Sequence, residues 1–276
     1  MSVAPELEHE RDYLARARTE LTACSRPDQP ASPRGPRRPA RRAERLTKWL
    51  GCAADRMVVM PALSTWWSLD VRAVAPQAHD YAVQRSGADL LTRWTEPARR
   101  YHTTRHLVEM FWALEELEAV GEIDDRQSSI ARLAAWFHDA VYHPGASHGS
   151  NEADSAALAR DHLQQVGLVD DDIEAIEAMI RITANHDAHH EAPLEAAFQD
   201  ADLWILSAPV ERFDGYCQQV RQEYSGVPDA AYQRGRSAIL EALLHRDTIY
   251  RTSHALHLWE TPARINLGRE LARLRA

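Results

Sequence analysis

From residue 62 onward the apolar residues recur at intervals near 3.6, in runs of a dozen or more residues separated by short Pro, Gly or Asp breaks. That period suits amphipathic α-helices; side chains on a strand alternate with period 2. The candidate helices are 78–94, 101–120, 126–142, 151–166, 171–186, 195–207, 210–224, 229–246 and 262–275. Several starts carry helix caps: Ser150-Asn151 before Glu152, Asp170-Asp171-Asp172 before Ile173, and Thr261 before Pro262. No alternating run and no repeat of fixed length competes with this pattern. The expectation is an all-α domain, a helical bundle over residues 61–276.

The residues before it read differently. Arg26 to Arg42 is R-P-D-Q-P-A-S-P-R-G-P-R-R-P-A-R-R, five prolines and six arginines that cannot build a packed element. Residues 1–60 are therefore expected to be an extension with a disordered Pro/Arg-rich tether at 26–45, and Met57 or Met60 is an alternative translation start. Charge divides at the same place, with 12 Lys/Arg against 8 Asp/Glu in residues 1–60 and 20 against 33 beyond them. An acidic body argues against a specific nucleic-acid binder. It leaves room for a nucleotide enzyme, because a bound metal reverses the local field. The three cysteines have no C-x-x-C spacing, which suits a reducing compartment. No run of about 18 apolar residues predicts a membrane span. Glu6, Glu8, Glu10 and Asp12 near the start do not read as a secretory signal, so the expected location is cytoplasmic.

The chemistry centres on Ala134 to Pro144, A-A-W-F-H-D-A-V-Y-H-P. An apolar helical run carries His138 and Asp139 into the interior, where burying either without a partner costs roughly several kcal/mol. A divalent cation offsets that cost, since a neutral imidazole nitrogen and a carboxylate oxygen are both good ligands. A hydrogen-bonded core pair is the plainer alternative. Upstream, His102 and His106 are four apart, a spacing that places two imidazoles on one helix face. His186 closes the helix that begins near Ile173, and Asp200 and Asp202 head an otherwise apolar helix as N-terminal dipole partners or ligands.

In this order, His106, then His138-Asp139, then Asp202, the chain resembles the HD superfamily of metal-dependent phosphohydrolases over most of residues 62–276. It is similar to a predicted phosphohydrolase group through R-Y-H-x-x-x-H (Arg100 to His106), W-F-H-D-x-V-Y (Trp136 to Tyr142) and N-E-x-x-S-A (Asn151 to Ala156). A loose I-x-x-T-x-x-H (Ile180 to His186), D-A-D-L (Asp200 to Leu203), R-x-E-Y (Arg221 to Tyr224), G-R (Gly235-Arg236) and A-R-x-N-L (Ala263 to Leu267) follow. The resemblance implies an HD-type helical bundle with His106, His138, Asp139 and Asp202 as metal ligands. His102 and His186 would be extra ligands or substrate donors. No E-D follows the His-Asp pair and no G-Y-P is present, which argues against guanosine tetraphosphate and cyclic-di-GMP as substrates.

The ligand set suits Mn, Fe, Co, Ni, Zn or Mg, and the expected substrate is a nucleotide or another small phosphorylated metabolite. Asp139 would orient or deprotonate the attacking water. Arg100 would clamp phosphate, with Arg105, Arg221 and Arg236 as further candidates. Glu152 would hold a water or a ligating histidine, and Tyr142 would lie over the substrate. The competing readings are a catalytically silent nucleotide- or metal-binding signalling module, and a structural helical protein with incidental histidines. A homo-oligomer is compatible with the sequence.

Overall fold

The structure is a computed structural model that describes residues 55–185 and 192–276. The expected tether at 26–45 and His186 lie outside the described residues. Those described form eleven α-helices and no strand: α1 (Asp55–Val74), α2 (Asp80–Trp94), α3 (Thr104–Ala119), α4 (Asp125–Phe137), α5 (Ser150–Val166), α6 (Asp170–Ile182), α7 (Pro193–Asp202), α8 (Val210–Glu223), α9 (Asp229–His245), α10 (Ser253–Leu258) and α11 (Glu260–Arg275). A 3-10 turn, Leu203–Ser207, joins α7 to α8. The all-α expectation holds. No helix among the described residues is long and apolar enough to cross a membrane.

The fold is built on α4. Its start is a capping box, in which Asp124 Oδ1 accepts the Gln127 N–H at 2.8 Å and Gln127 Oε1 accepts the Asp124 N–H at 2.9 Å. Leu133 through Phe137 then run with no exposure at all. A helix apolar on every side must be enclosed, and α4 packs against α1, α3, α5, α6 and α7. Trp136 and Phe137 meet Trp67 of α1 edge-on, with centroids 5.6 and 5.8 Å away. Asp70 of α1 is buried among these rings; it takes the Trp136 indole N–H at 3.1 Å and the Arg132 guanidinium at 2.8 Å.

Three boundaries near the site depart from the spacing. The helix expected over 126–142 stops at Phe137, with His138 as its cap. The helix expected over 101–120 starts at Thr104, so His102 precedes it, and the two histidines do not share a helical face. In the 195–207 segment, α7 ends at Asp202 and the chain tightens to 3-10. Asp200 and Asp202 thus sit at the C-terminal end of α7, where the dipole opposes a carboxylate, and not at its head. Asp200 is compensated by three donors across the fold: the N–H groups of Arg251 and Thr252 and the Thr252 hydroxyl, at 2.7 to 3.1 Å. Two helices, α1 and α10, fall outside the expected set.

Gly87 lets α1 and α2 come together. A Cβ built there stands 2.5 Å from Trp67 Cδ1, and the indole cannot yield because its N–H is bonded to Val83 O at 2.8 Å. Gly87→Ala should lower stability by about 1–3 kcal/mol through overpacking. Urea unfolding checks this; an unchanged midpoint contradicts it.

Candidate metal centre

Because α4 ends inside the protein, its last carbonyls and the turn after it need donors. The last carbonyls are taken by the His138 and Ala140 N–H groups, the His138 ring and the Trp94 indole, and Arg99 serves the turn. Its buried guanidinium donates to Asp139 O at 2.6 Å, Ala140 O at 3.1 Å and His102 O at 3.2 Å. From α5, Ser155 Oγ accepts the Val141 N–H at 3.1 Å and donates to Val141 O at 3.3 Å. One turn earlier, Asn151 pairs with both backbone groups of His143, at 3.1 and 3.3 Å. The N-E-x-x-S-A segment therefore clasps the peptide that follows the His-Asp pair. Asn151 does this from the first turn of the helix, not as a cap, since the N-cap is Gly149 with φ 78°.

This scaffold brings four sequence-predicted side chains together. His106 Nε2 lies 3.1 Å from His138 Nε2. Asp139 Oδ2 is 3.0 Å from His138 Nε2 and 3.6 Å from His106 Nε2. Asp202 Oδ1 is 3.2 Å from His106 Nε2 and 3.5 Å from His138 Nε2. The ligand atoms of His106, His138 and Asp139 all fall within 4.8 Å of one another, and the group could hold a metal ion.

Ring orientation is fixed from behind. The His138 Nδ1–H donates to Ala135 O at 2.9 Å, because a carbonyl can only accept. His106 Nδ1 meets the Tyr101 hydroxyl at 3.1 Å. Trp94 lies against both rings, with centroids 6.4 and 5.6 Å away, and is pinned by its own bond to Trp136 O at 2.9 Å. With Nδ1 committed, the His138 Nε2 lone pair faces a second imidazole nitrogen, an arrangement that needs a cation or a proton between them. Without a metal, burial disfavours the His138 cation, but Asp139 and Asp202 outweigh it and hold the ring protonated well above the usual imidazole range. Burial alone would raise the Asp139 carboxyl; His138 and its neighbouring imidazoles instead pull it below the usual range. Imidazole nitrogen and carboxylate oxygen are donor types that suit a divalent ion at the His106, His138 and Asp139 group, and Asp202 lies against both imidazoles.

The other expected residues are placed as follows. His102 Nε2 stands 4.0 Å from Asp139 Oδ2, and its ring stacks on Tyr142 at 4.0 Å. Glu152 is half-buried in the first turn of α5 and makes no hydrogen bond or ion pair with the cluster among the described residues. Arg100 is exposed and donates to Pro97 O and Arg99 O. Arg221 closes the α8–α9 turn on Tyr224 O, Val227 O and Asp229. Arg236 donates to the Tyr216 hydroxyl at 2.8 Å, and Tyr216 packs on Tyr101 at 4.6 Å, so it reaches the cluster only through two rings. Arg105 pairs with Glu109, which also takes a buried two-pronged bond of 2.6 Å per arm from Arg212.

Two residues that hold the site's backbone and His102 escape the sequence reading. Arg99 is the structural arginine at the head of the Y-H segment, while its neighbour Arg100 faces solvent. Glu223, inside the R-x-E-Y segment, bonds to His102. Only the run of two arginines and the acid within R-x-E-Y hint at them.

No protein-family model matches the chain, and no curated protein matches it.

Arg99→Ala should cost about 2–4 kcal/mol, the usual order for several buried carbonyls left without donors, and should weaken metal retention because the Asp139 backbone loses its tether. Thermal unfolding and elemental analysis of the dialysed variant test this. Stability and metal content equal to wild type contradict it.

Proposed function

We propose that the protein is a metal-dependent phosphohydrolase of the HD type, acting on a phosphoester of a nucleotide or another small phosphorylated metabolite. The observation that carries this reading is the convergence of His106, His138, Asp139 and Asp202 on one point, with both imidazoles presenting Nε2. A divalent ion held by these four residues would supply a Lewis acid for a phosphate oxygen and lower the pKa of a water to about 7. Mn, Fe, Co, Ni, Zn and Mg are the candidates.

The chain's own groups divide the work. His138 and His106 are neutral donors whose orientation the Ala135 carbonyl and the Tyr101 hydroxyl fix. Asp139 and Asp202 bring the negative charge that retains a cation. The accessible side belongs to Asp139, Asp202 and His102, whose side chains keep 16%, 13% and 19% of their exposure while the two ligand imidazoles keep 4% or less. Substrate therefore approaches past His102 and its stacking partner Tyr142. Arg100, exposed at the entry turn of α3, is the nearest expected clamp for phosphate in sequence.

Turnover of a panel of nucleotides and sugar phosphates should depend on added Mn, Co, Ni or Mg and vanish with chelator. Asp139→Ala should retain the helical spectrum, lose bound metal and fall at least about 100-fold in kcat/KM, in line with loss of a group that stabilises the transition state. Full activity of a metal-free Asp139→Ala variant contradicts the proposal, as does tight nucleotide binding without turnover of any phosphoester.

A further inference from the structure

Glu223 is the last residue of α8, more than a hundred positions from the segment it serves. Its side chain is wholly enclosed. One oxygen, Oε1, accepts three consecutive backbone N–H groups, those of Arg100, Tyr101 and His102, at 2.7, 2.8 and 3.1 Å. Such a nest of amides is a natural carboxylate seat, and it fully accounts for the fold at the entry to α3. The second oxygen does something else. Oε2 lies 2.7 Å from His102 Nδ1 and takes the Tyr142 hydroxyl at 3.2 Å.

Two aromatic rings hold the imidazole it binds. Tyr142 stacks on the His102 imidazole with 30° between planes, and Tyr101 meets it edge-on at 4.8 Å. An ionised carboxylate can only accept hydrogen bonds. Burial pushes the Glu223 carboxyl up, but the His102 bond and the Arg100 and His102 amides outweigh it and bring it to about 2. In the neutral His102 ring the hydrogen then sits on Nδ1. The other nitrogen, Nε2, is the one that faces the cluster, 4.0 Å from Asp139 Oδ2.

We propose that Glu223 is a positioning residue: it fixes the tautomer of His102 so that the nitrogen facing the candidate metal centre is a hydrogen-bond acceptor, which orients the attacking water. The water-orienting half rests on the hydrolase reading; the tautomer half does not. The arrangement also joins two sequence segments that otherwise have no common purpose, R-Y-H-x-x-x-H and R-x-E-Y.

Glu223→Gln separates the two oxygens. The amide oxygen still fills the backbone nest, while the amide NH2 can only donate to His102 Nδ1, which moves the ring hydrogen to Nε2. The experiment uses the full chain loaded with zinc and labelled with 15N-histidine. The His102 signals are identified by their loss in His102→Asn. Two-bond proton–nitrogen correlation should show Nδ1–H in the wild type and Nε2–H in Glu223→Gln, with equal zinc content. Kinetically, Glu223→Gln should lose about 10- to 100-fold in kcat, the usual scale for an orienting partner, with KM unchanged. Glu223→Asp should recover part of the loss.

Nε2–H in the wild type, or the same tautomer in both proteins, overturns the proposal. A tautomer change with unchanged kcat overturns the water-orienting half. If Glu223→Gln does not fold, the wild-type spectrum still decides the tautomer. A wild type that turns over no phosphoester defeats the hydrolase reading and the water-orienting half together, whereas the tautomer assignment is judged by the spectrum alone.

Discussion

A helix that ends in the interior leaves a turn whose peptide groups must find partners there, and much of this protein is arranged around that need after α4. Arg99 reaches across to the carbonyls of Asp139 and Ala140, while Ser155 and Asn151 take the peptide groups of Val141 and His143. Because those partners are themselves buried or fixed on α5, the peptide after His138 has little freedom. The consequence is chemical: Asp139 Oδ2 is held 3.0 Å from His138 Nε2 and 3.6 Å from His106 Nε2.

The same logic holds at the other contributing elements. Asp202 ends α7, and the chain then tightens into a 3-10 turn whose carbonyls at Leu206 and Ala208 are closed by the amide of Asn266, at 2.9 and 2.8 Å. Glu223 ends α8 and seats the turn that precedes His106. Arg212 of α8 grips Glu109 of α3 in a buried pair. Carboxylates at helix C-termini are unfavourable by dipole alone. Here each is answered by donors from a distant part of the chain, so the residues of the cluster and the closure of the bundle are mutually dependent.

The helical class and most of the helices could be read in the sequence, because apolar period and breaks act locally. That His106, His138, Asp139 and Asp202 come together could be read as well. What escaped is what depends on contacts far along the chain. Nothing local stops α4 at Phe137, since Ala140, Val141 and Tyr142 continue the apolar pattern; the stop is imposed by Arg99 and α5. The spacing of His102 and His106 suggested a shared helix face, yet Thr103 caps α3 between them, and His102 is held by Glu223 instead. Arg99 and Arg100 are indistinguishable by type, and only burial separates them. Asp200 and Asp202 looked equivalent, but Asp200 turns to Thr252 and closes the fold while Asp202 turns to the imidazoles.

The proposed function requires two imidazoles and two carboxylates to share one cation. X-ray absorption on the full chain, loaded with zinc or cobalt and dialysed, tests it most directly. The account predicts one firmly held ion with two imidazole nitrogens and carboxylate oxygen in its first shell, at about 2.0–2.2 Å. An ion lost on dialysis, or a shell of oxygen alone with no imidazole scattering, would contradict it.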